Sequence, residues 1–249
     1  MADVKGTNSV TTDMTGMTRR DVVRHTAVLG TVTLVGGGSV LALPAGAVAA
    51  GRPGSDDAPK RPTSPNGWEL EEKANDVSTV WTRPVPGTGL DMDVRIGDVE
   101  TVLVHVVRRF HYEIDELRKG DLAGWRAPAR VQLKRAEGNQ ASGTAVAIRP
   151  GSYPPGAGEG FYSPQLMVIR DILAECDGVV RWGGDDDRPY EALFSIDVPP
   201  GDKRLTALVA RLRTWADEPG AGPGTQVDLT DTKRRKAATA LERRQRKTA

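Results

Sequence analysis

The chain has 249 residues, with 34 Lys+Arg against 33 Asp+Glu, and is 38% apolar, 27% charged and only 5% aromatic. That length suits one domain or two small ones, and a net charge of +1 argues against a strongly basic nucleic-acid binder. The single cysteine, Cys176, excludes an internal disulfide framework and any multi-cysteine zinc site.

The chain opens on an address. Thr18-Arg19-Arg20-Asp21-Val22-Val23-Arg24 precedes a charge-free, Gly-rich apolar stretch over 26–50. A basic start, an apolar middle and a small-residue end form a secretory signal, and Ala47-Val48-Ala49 offers an A-x-A cleavage site. Arg19 and Arg20 resemble the twin-arginine signal, with Val22 and Val23 in place of its usual aromatic or Leu. The expectation is residues 1–49 as a signal, export by the twin-arginine route, and a cell-envelope or extracellular destination with no membrane span after cleavage. The alternative is a retained anchor, weakened as a helix by Gly36-Gly37-Gly38 and Pro44. Met17, just before this stretch, is a second candidate start. Residues 50–66, rich in Pro, Gly and Asp, read as a flexible linker.

All twelve Trp, Tyr and Phe residues lie between Trp68 and Trp215. Bulky rings supply much of a core's buried area, so one folded body is expected over 67–217. Leu103, Val106, Val107, Phe110, Ile114 and Leu117 make one apolar stripe on a helix over 99–117, capped by Asp98 and stopped by Gly120. Ser163-Pro164 starts a second helix whose inner face is Leu166, Ile169, Leu173 and Cys176. A third, over 202–217, buries Leu205, Leu208, Val209, Leu212 and Trp215. Short β-type runs fall at 129–134, 144–149, 178–182 and 192–198. Helices and strands do not alternate regularly, so the expected class is α+β, with a small, largely antiparallel sheet packed against helices.

Residues 218–249 break helical pattern at DEPGAGPGTQ and end in a basic tail of net +5 over 225–249, which leaves the body at −5. The tail reads as disordered and solubilising, or as a nascent basic helix that meets anionic wall polymers, lipid headgroups or an acidic partner.

Chemistry-bearing residues are sparse. His105 and His111 stand six apart, about 240° around a helix, so they cannot share a metal as an i, i+4 pair would. Both read as packing or surface histidines, and Cys176 as a buried inert thiol. No G-x-S-x-G elbow and no phosphate-binding loop is present, and Gly156, Gly158 and Gly160 sit in a Pro-rich loop without a preceding strand. Asp185-Asp186-Asp187 reads as a solvated loop, with a hard-cation site as the alternative.

Two stretches carry a family resemblance: GNQASGTAVAI over 138–148, and GVVRWGGD over 178–185 continuing to Ala192-Leu193-Phe194-Ser195-Ile196. With RRFHYEIDEL and the SPQ-started helix, they resemble the zinc D-alanyl-D-alanine carboxypeptidases of bacterial cell walls, the VanY-like peptidases, over about 94–215. The resemblance implies that family's fold. It also implies a zinc held by two His and one Asp, with a Glu taking the proton from the metal-bound water. Here the matching positions carry Gln140 and Leu193 for the two His, Ala147 for the Asp and Ser195 for the Glu. No His follows His111. Leu donates nothing to a metal and Gln is a weak neutral donor, so the chain reads as a catalytically degenerate relative with no cofactor. The expected role is non-catalytic binding of a peptidoglycan peptide or a wall-associated protein, with Lys134, Arg135, Trp182 and Asp185 as substrate-binding positions. One alternative is a metal-dependent peptidase with ligands relocated to Asp185, Glu191 or His111. A second is an interaction protein acting through its basic tail.

Overall fold

In the computed structural model, the described residues are 61–225 and 227–248. The expected signal, with Arg19 and Arg20, and linker residues 50–60 lie outside them. The described residues belong to one compact unit. Among the described residues, no helix is long and apolar enough to cross a membrane.

The α+β class holds. Six strands and four α-helices appear in the order β1 (Val80–Val85), β2 (Leu90–Arg95), α1 (Asp98–Glu113), β3 (Leu122–Ala123), β4 (Ala145–Ile148), α2 (Ser163–Glu175), β5 (Val180–Trp182), β6 (Leu193–Ile196), α3 (Lys203–Asp217) and α4 (Thr232–Arg246). β1 and β2 form an antiparallel hairpin, and the other four strands form an antiparallel sheet in the order β3-β4-β6-β5.

Strand alternation gives that sheet two different faces. Val146, Ile148, Val180, Trp182, Phe194 and Ile196 point into the main core, where Phe110 of α1 and Ile169, Ile172 and Leu173 of α2 meet them. Phe110 lies edge-on to Phe161 and Phe194, an arrangement the ring quadrupoles favour. On the other face Ala145, Ala147 and Leu193 join Tyr190 and Ala192 in a second, smaller cluster.

The three expected helices form where their apolar stripes fall. α1 ends four residues early, at Glu113. Its exit is satisfied locally: His111 Nδ1 accepts the Leu117 N–H at 3.0 Å, and Leu117 still packs into the core. α3 starts as expected, with the Asp202 side chain accepting the Arg204 N–H.

Other expectations are corrected. Residues 129–134 are not a strand: Pro128–Arg130 is a single 3₁₀ turn. No residue between 126 and 134 is buried, so there is no face for a sheet to cover. The end of the expected linker belongs to the fold. Asn66 Nδ2 donates to Thr144 Oγ1 (2.7 Å) and to the Ile196 carbonyl (2.9 Å), and Ser64 Oγ lies 2.9 Å from Ser142 Oγ.

Of the two readings of the tail, disorder gives way to the basic helix, which forms as α4 and docks on α2. Arg234, Ala238, Leu241 and Gln245 recur at three- and four-residue spacing along its inner side. Leu241 is buried in the main core beside Gly178. Gln245 Nε2 donates to the Val180 carbonyl (2.8 Å), and Arg234 reaches Asp171 and Glu175. Only one of these anchors, Leu241, carries a bulky apolar side chain, which is why a search for hydrophobic periodicity passes over the helix.

Arg234 completes a buried ionic network. Arg109 of α1, 2% exposed, binds Asp171 and Glu175 of α2 and Glu113 of its own helix. His105 Nε2 lies 2.7 Å from Glu175 Oε1. Burial alone would raise the Glu175 pKa, but the His105 hydrogen bond, the Arg109 charge and the Arg234 hydrogen bond outweigh it and hold the group at about 2, from an ordinary 4.5. The carboxylates likewise raise the Arg109 pKa against the cost of its burial.

Two outcomes follow from this packing. Leu241→Ala removes the one bulky apolar anchor of α4 and should cost about 2–4 kcal/mol in urea denaturation. For Glu175, a depressed carboxylate pKa stabilises the fold in full above pH 4.5, and the contribution drains away as pH falls toward about 2. It amounts to about 3 kcal/mol, so the melting temperature should drop across that window, and Glu175→Gln should flatten the drop.

Candidate functional site

On the sheet face away from the helices lies a cleft of about 700 Å³. Its floor includes Tyr190 and Ser195. Lys134 and Arg135 come from the loop before β4, Arg181 from β5, Asp186, Asp187 and Arg188 from the β5–β6 loop, and Asp197 from just past β6. Asn66 and Thr248 line opposite ends of the chain's path around it.

Each wall residue has a structural reason for its place. Val180 and Trp182 point into the core, so alternation turns Arg181 outward, opposite Ser195. There its guanidinium binds Asp186 Oδ1 (2.8 and 3.0 Å), the Gln245 carbonyl (3.3 Å) and Thr248 Oγ1 (3.2 Å). The end of α4 is thereby tied to the cleft. Lys134, Arg135 and Arg188 are exposed and form no ion pair with the described residues, in contrast to Arg181.

The cleft carries both charge signs. Crowding by the protein pushes the Asp197 pKa up, Arg181 and Arg204 pull it down, and Asp186 adds to the rise. The Tyr190 phenol is raised by burial, with Arg126 opposing and Glu137 adding. A proton on or near Asp197 is therefore easier to hold than on an ordinary surface carboxylate.

The four positions matching the family's site lie close together beneath this region. Ala147 pairs directly with Leu193 across β4–β6, and Ser195 pairs with Ala145, so Ala147, Leu193 and Ser195 share one sheet face. Gln140, fully buried, reaches the neighbouring strand β3: its Nε2 donates to the carbonyls of Ala123 (2.8 Å) and Gly124 (2.9 Å). Ala123 in turn pairs with Ala147.

This donor set does not fit a zinc ion. Ala147 and Leu193 offer hydrocarbon, Ser195 a neutral hydroxyl, and the Gln140 amide nitrogen is spent on two backbone carbonyls; its Oε1 is buried without a hydrogen-bond partner. One neutral amide oxygen cannot hold zinc against water. Gln140 acts instead as a cross-brace between the 3₁₀ turn Ala136–Ser142 and β3.

The proposed relocated ligands do not converge. Asp185 is paired with Arg170 and Arg246, Glu191 accepts the N–H groups of Glu159 and Gly160, and His111 Nδ1 is taken by Leu117. Among the described residues, no group of three or more His, Cys, Asp or Glu is gathered to hold a metal ion.

Of the expected substrate-binding residues, Lys134 and Arg135 line the cleft and the other two do not. Trp182 is a core residue, with its Nε1 donating to the Glu191 carbonyl and Arg170 stacked over its ring at 4.9 Å. The Asp185 side chain is 1% exposed and neutralised by its two arginines. The W-G-G-D turn thus organises the loop rather than the ligand surface. Gly183 needs its missing side chain there, since a Cβ would stand 2.6 Å from the Tyr190 carbonyl. Cys176 is buried, with its thiol pushed up to about 12, and is inert as a nucleophile.

Arg181, Arg188 and Asp197 escape the sequence reading, which names Asp187 only within the acidic run Asp185-Asp186-Asp187. The period-2 alternation Val180-Arg181-Trp182 is the available signal for Arg181; Arg188 and Asp197 carry none. Replacing Gln140 by Leu should leave the Ala123 and Gly124 carbonyls without their donor and cost about 1–3 kcal/mol in urea denaturation, a loss that Gln140→Leu shares with no metal-dependent signal. Comparison with protein-family models, with curated proteins and with solved structures finds no match to this chain.

Proposed function

We propose that the protein is an exported cell-envelope binding protein whose cleft takes a short zwitterionic peptide of the peptidoglycan-stem type and holds it without cutting. The observation that carries this reading is the charge pattern of the cleft. Lys134, Arg135 and Arg188 line it together with Asp187 and Asp197, and none of these five forms an ion pair with the described residues. A peptide with a terminal carboxylate and a side-chain amine presents both complementary charges. Guanidinium groups are suited to a carboxylate, which they bind through paired N–H donors.

The resemblance to the wall carboxypeptidases and the twin-arginine leader support the same reading from the sequence. Chemistry is not part of it. Neither a metal-bound water nor an activated nucleophile can be built from Gln140, Ala147, Leu193 and Ser195. Asp197 and Tyr190 have no partner arrangement that would make them an acid–base pair.

The test is calorimetric titration of the full chain with a stem pentapeptide ending in D-Ala-D-Ala, alongside pelleting with purified cell walls. Binding should weaken about tenfold or more in Lys134→Glu/Arg135→Glu, since each lost charge-assisted hydrogen bond is worth about 1.5–3 kcal/mol. Amidation of the peptide's C-terminus should weaken it similarly. No D-Ala should be released, with or without added zinc. Pelleting no stronger than that of an unrelated control protein, together with no heat of peptide binding, would sink the reading.

A further inference from the structure

The outward side of α4 is a second charged surface, remote in chemistry from the cleft. The helix runs for 15 residues, about 22 Å at 1.5 Å per residue. At 100° per residue, its anchoring residues Arg234, Ala238, Leu241 and Gln245 fall within an arc of about 60°. Lys233, Arg235, Lys236, Arg243, Arg244 and Lys247 occupy the remaining side, centred about 180° from the anchors. All six are exposed. Among the described residues, the ion pairs of α4 are made by Arg234, Glu242 and Arg246, and these six take part in none of them.

Two features separate this surface from an ordinary solvated helix. It is held rigidly, because Leu241, Gln245 and Arg234 fix both its position and its rotation on the body. It is also segregated in sign: Glu242, the acidic residue within the helix, is turned inward to Arg170 and Arg246. Six like charges along one helix face repel one another when nothing neutralises them, and a polyanion relieves that repulsion while releasing its own counterions.

We propose that the outer face of α4 is a docking strip for a flexible, linear, non-nucleic polyanion with closely repeated phosphate charges. The chemistry of the face selects among anionic partners. A membrane-adsorbing helix needs bulky apolar residues to bury below the headgroups, and here the exposed uncharged positions of α4 are Thr232, Ala237, Thr239 and Ala240. Single-stranded nucleic acid is held by aromatic stacking, and no aromatic follows Trp215. Duplex DNA is stiff and densely charged, and it would bring its flanking phosphates over a body of net charge −5. A flexible single chain can follow one helix face and stay clear of that body.

The probe is inorganic polyphosphate, titrated into the full chain at about 50 mM salt and again at about 200 mM. Binding should fall steeply with salt. Arg243→Gln/Arg244→Gln/Lys247→Gln should weaken it at least about tenfold and reduce the log–log salt slope by about 2, with an unchanged melting temperature because these side chains face solvent. Lys233→Gln/Arg235→Gln/Lys236→Gln, at the other end of the strip, should behave alike and guards against a local folding defect in either variant. The proposal is overturned by any of three results. These are no polyphosphate binding at the lower salt, affinity in both triple variants equal to that of the unsubstituted chain, or a preference for a duplex DNA or for phosphatidylcholine vesicles containing phosphatidylglycerol that polyphosphate does not displace. Stem-peptide binding in the cleft is unaffected by either outcome.

Discussion

The constraint on which this fold turns is the burial of two carboxylates on one helix. Asp171 and Glu175 stand one turn apart on α2, facing away from water, and an uncompensated carboxylate there would be untenable. Compensation comes from both sides: Arg109 and His105 from α1, Arg234 from α4. Neighbouring helices are thus obliged to present particular cations at particular heights. Apolar packing supplies most of the driving force, while the ion pairs decide which helix goes where and in which rotation.

That division of labour extends to the sheet. One face is committed to the main core through Val146, Phe194, Ile196 and Trp182; the other carries the smaller cluster of Ala145, Ala147 and Leu193, with Ser195 beside it. A sheet with one packed and one shallow face is a platform. The cleft sits on the shallow face, and the Gln140 brace keeps the adjoining loop from collapsing onto it or drifting away.

Apolar periodicity made much of this legible in the sequence. The stripes of α1, α2 and α3 and the runs that became β4, β5 and β6 are all dominated by Val, Ile, Leu and Phe, so burial and pattern coincide. The β1–β2 hairpin was passed over although Leu90, Met92 and Val94 alternate with Asp91, Asp93 and Arg95, because Pro84 interrupts the partner strand. α4 was read as a tail because its anchors, Arg234 and Gln245, act through ion pairs and a hydrogen bond that hydropathy does not register. Within the site, Lys134 and Arg135 were found from their charge. Trp182 and Asp185 were misplaced because a residue that shapes a loop and one that lines a pocket leave the same mark in a motif. The order of the strands, and with it the meeting of β5 with the C-terminus, is a long-range property that no local pattern encodes.

That meeting has a consequence for the border of the sheet. β5 is an edge strand, and its Val180 carbonyl accepts from Gln245 Nε2 of α4. An edge strand left open invites pairing with another molecule. Gln245 covers one of the acceptors on this border, so loosening α4 would do more than lose a helix contact: it would uncover backbone to which a second chain could add a strand.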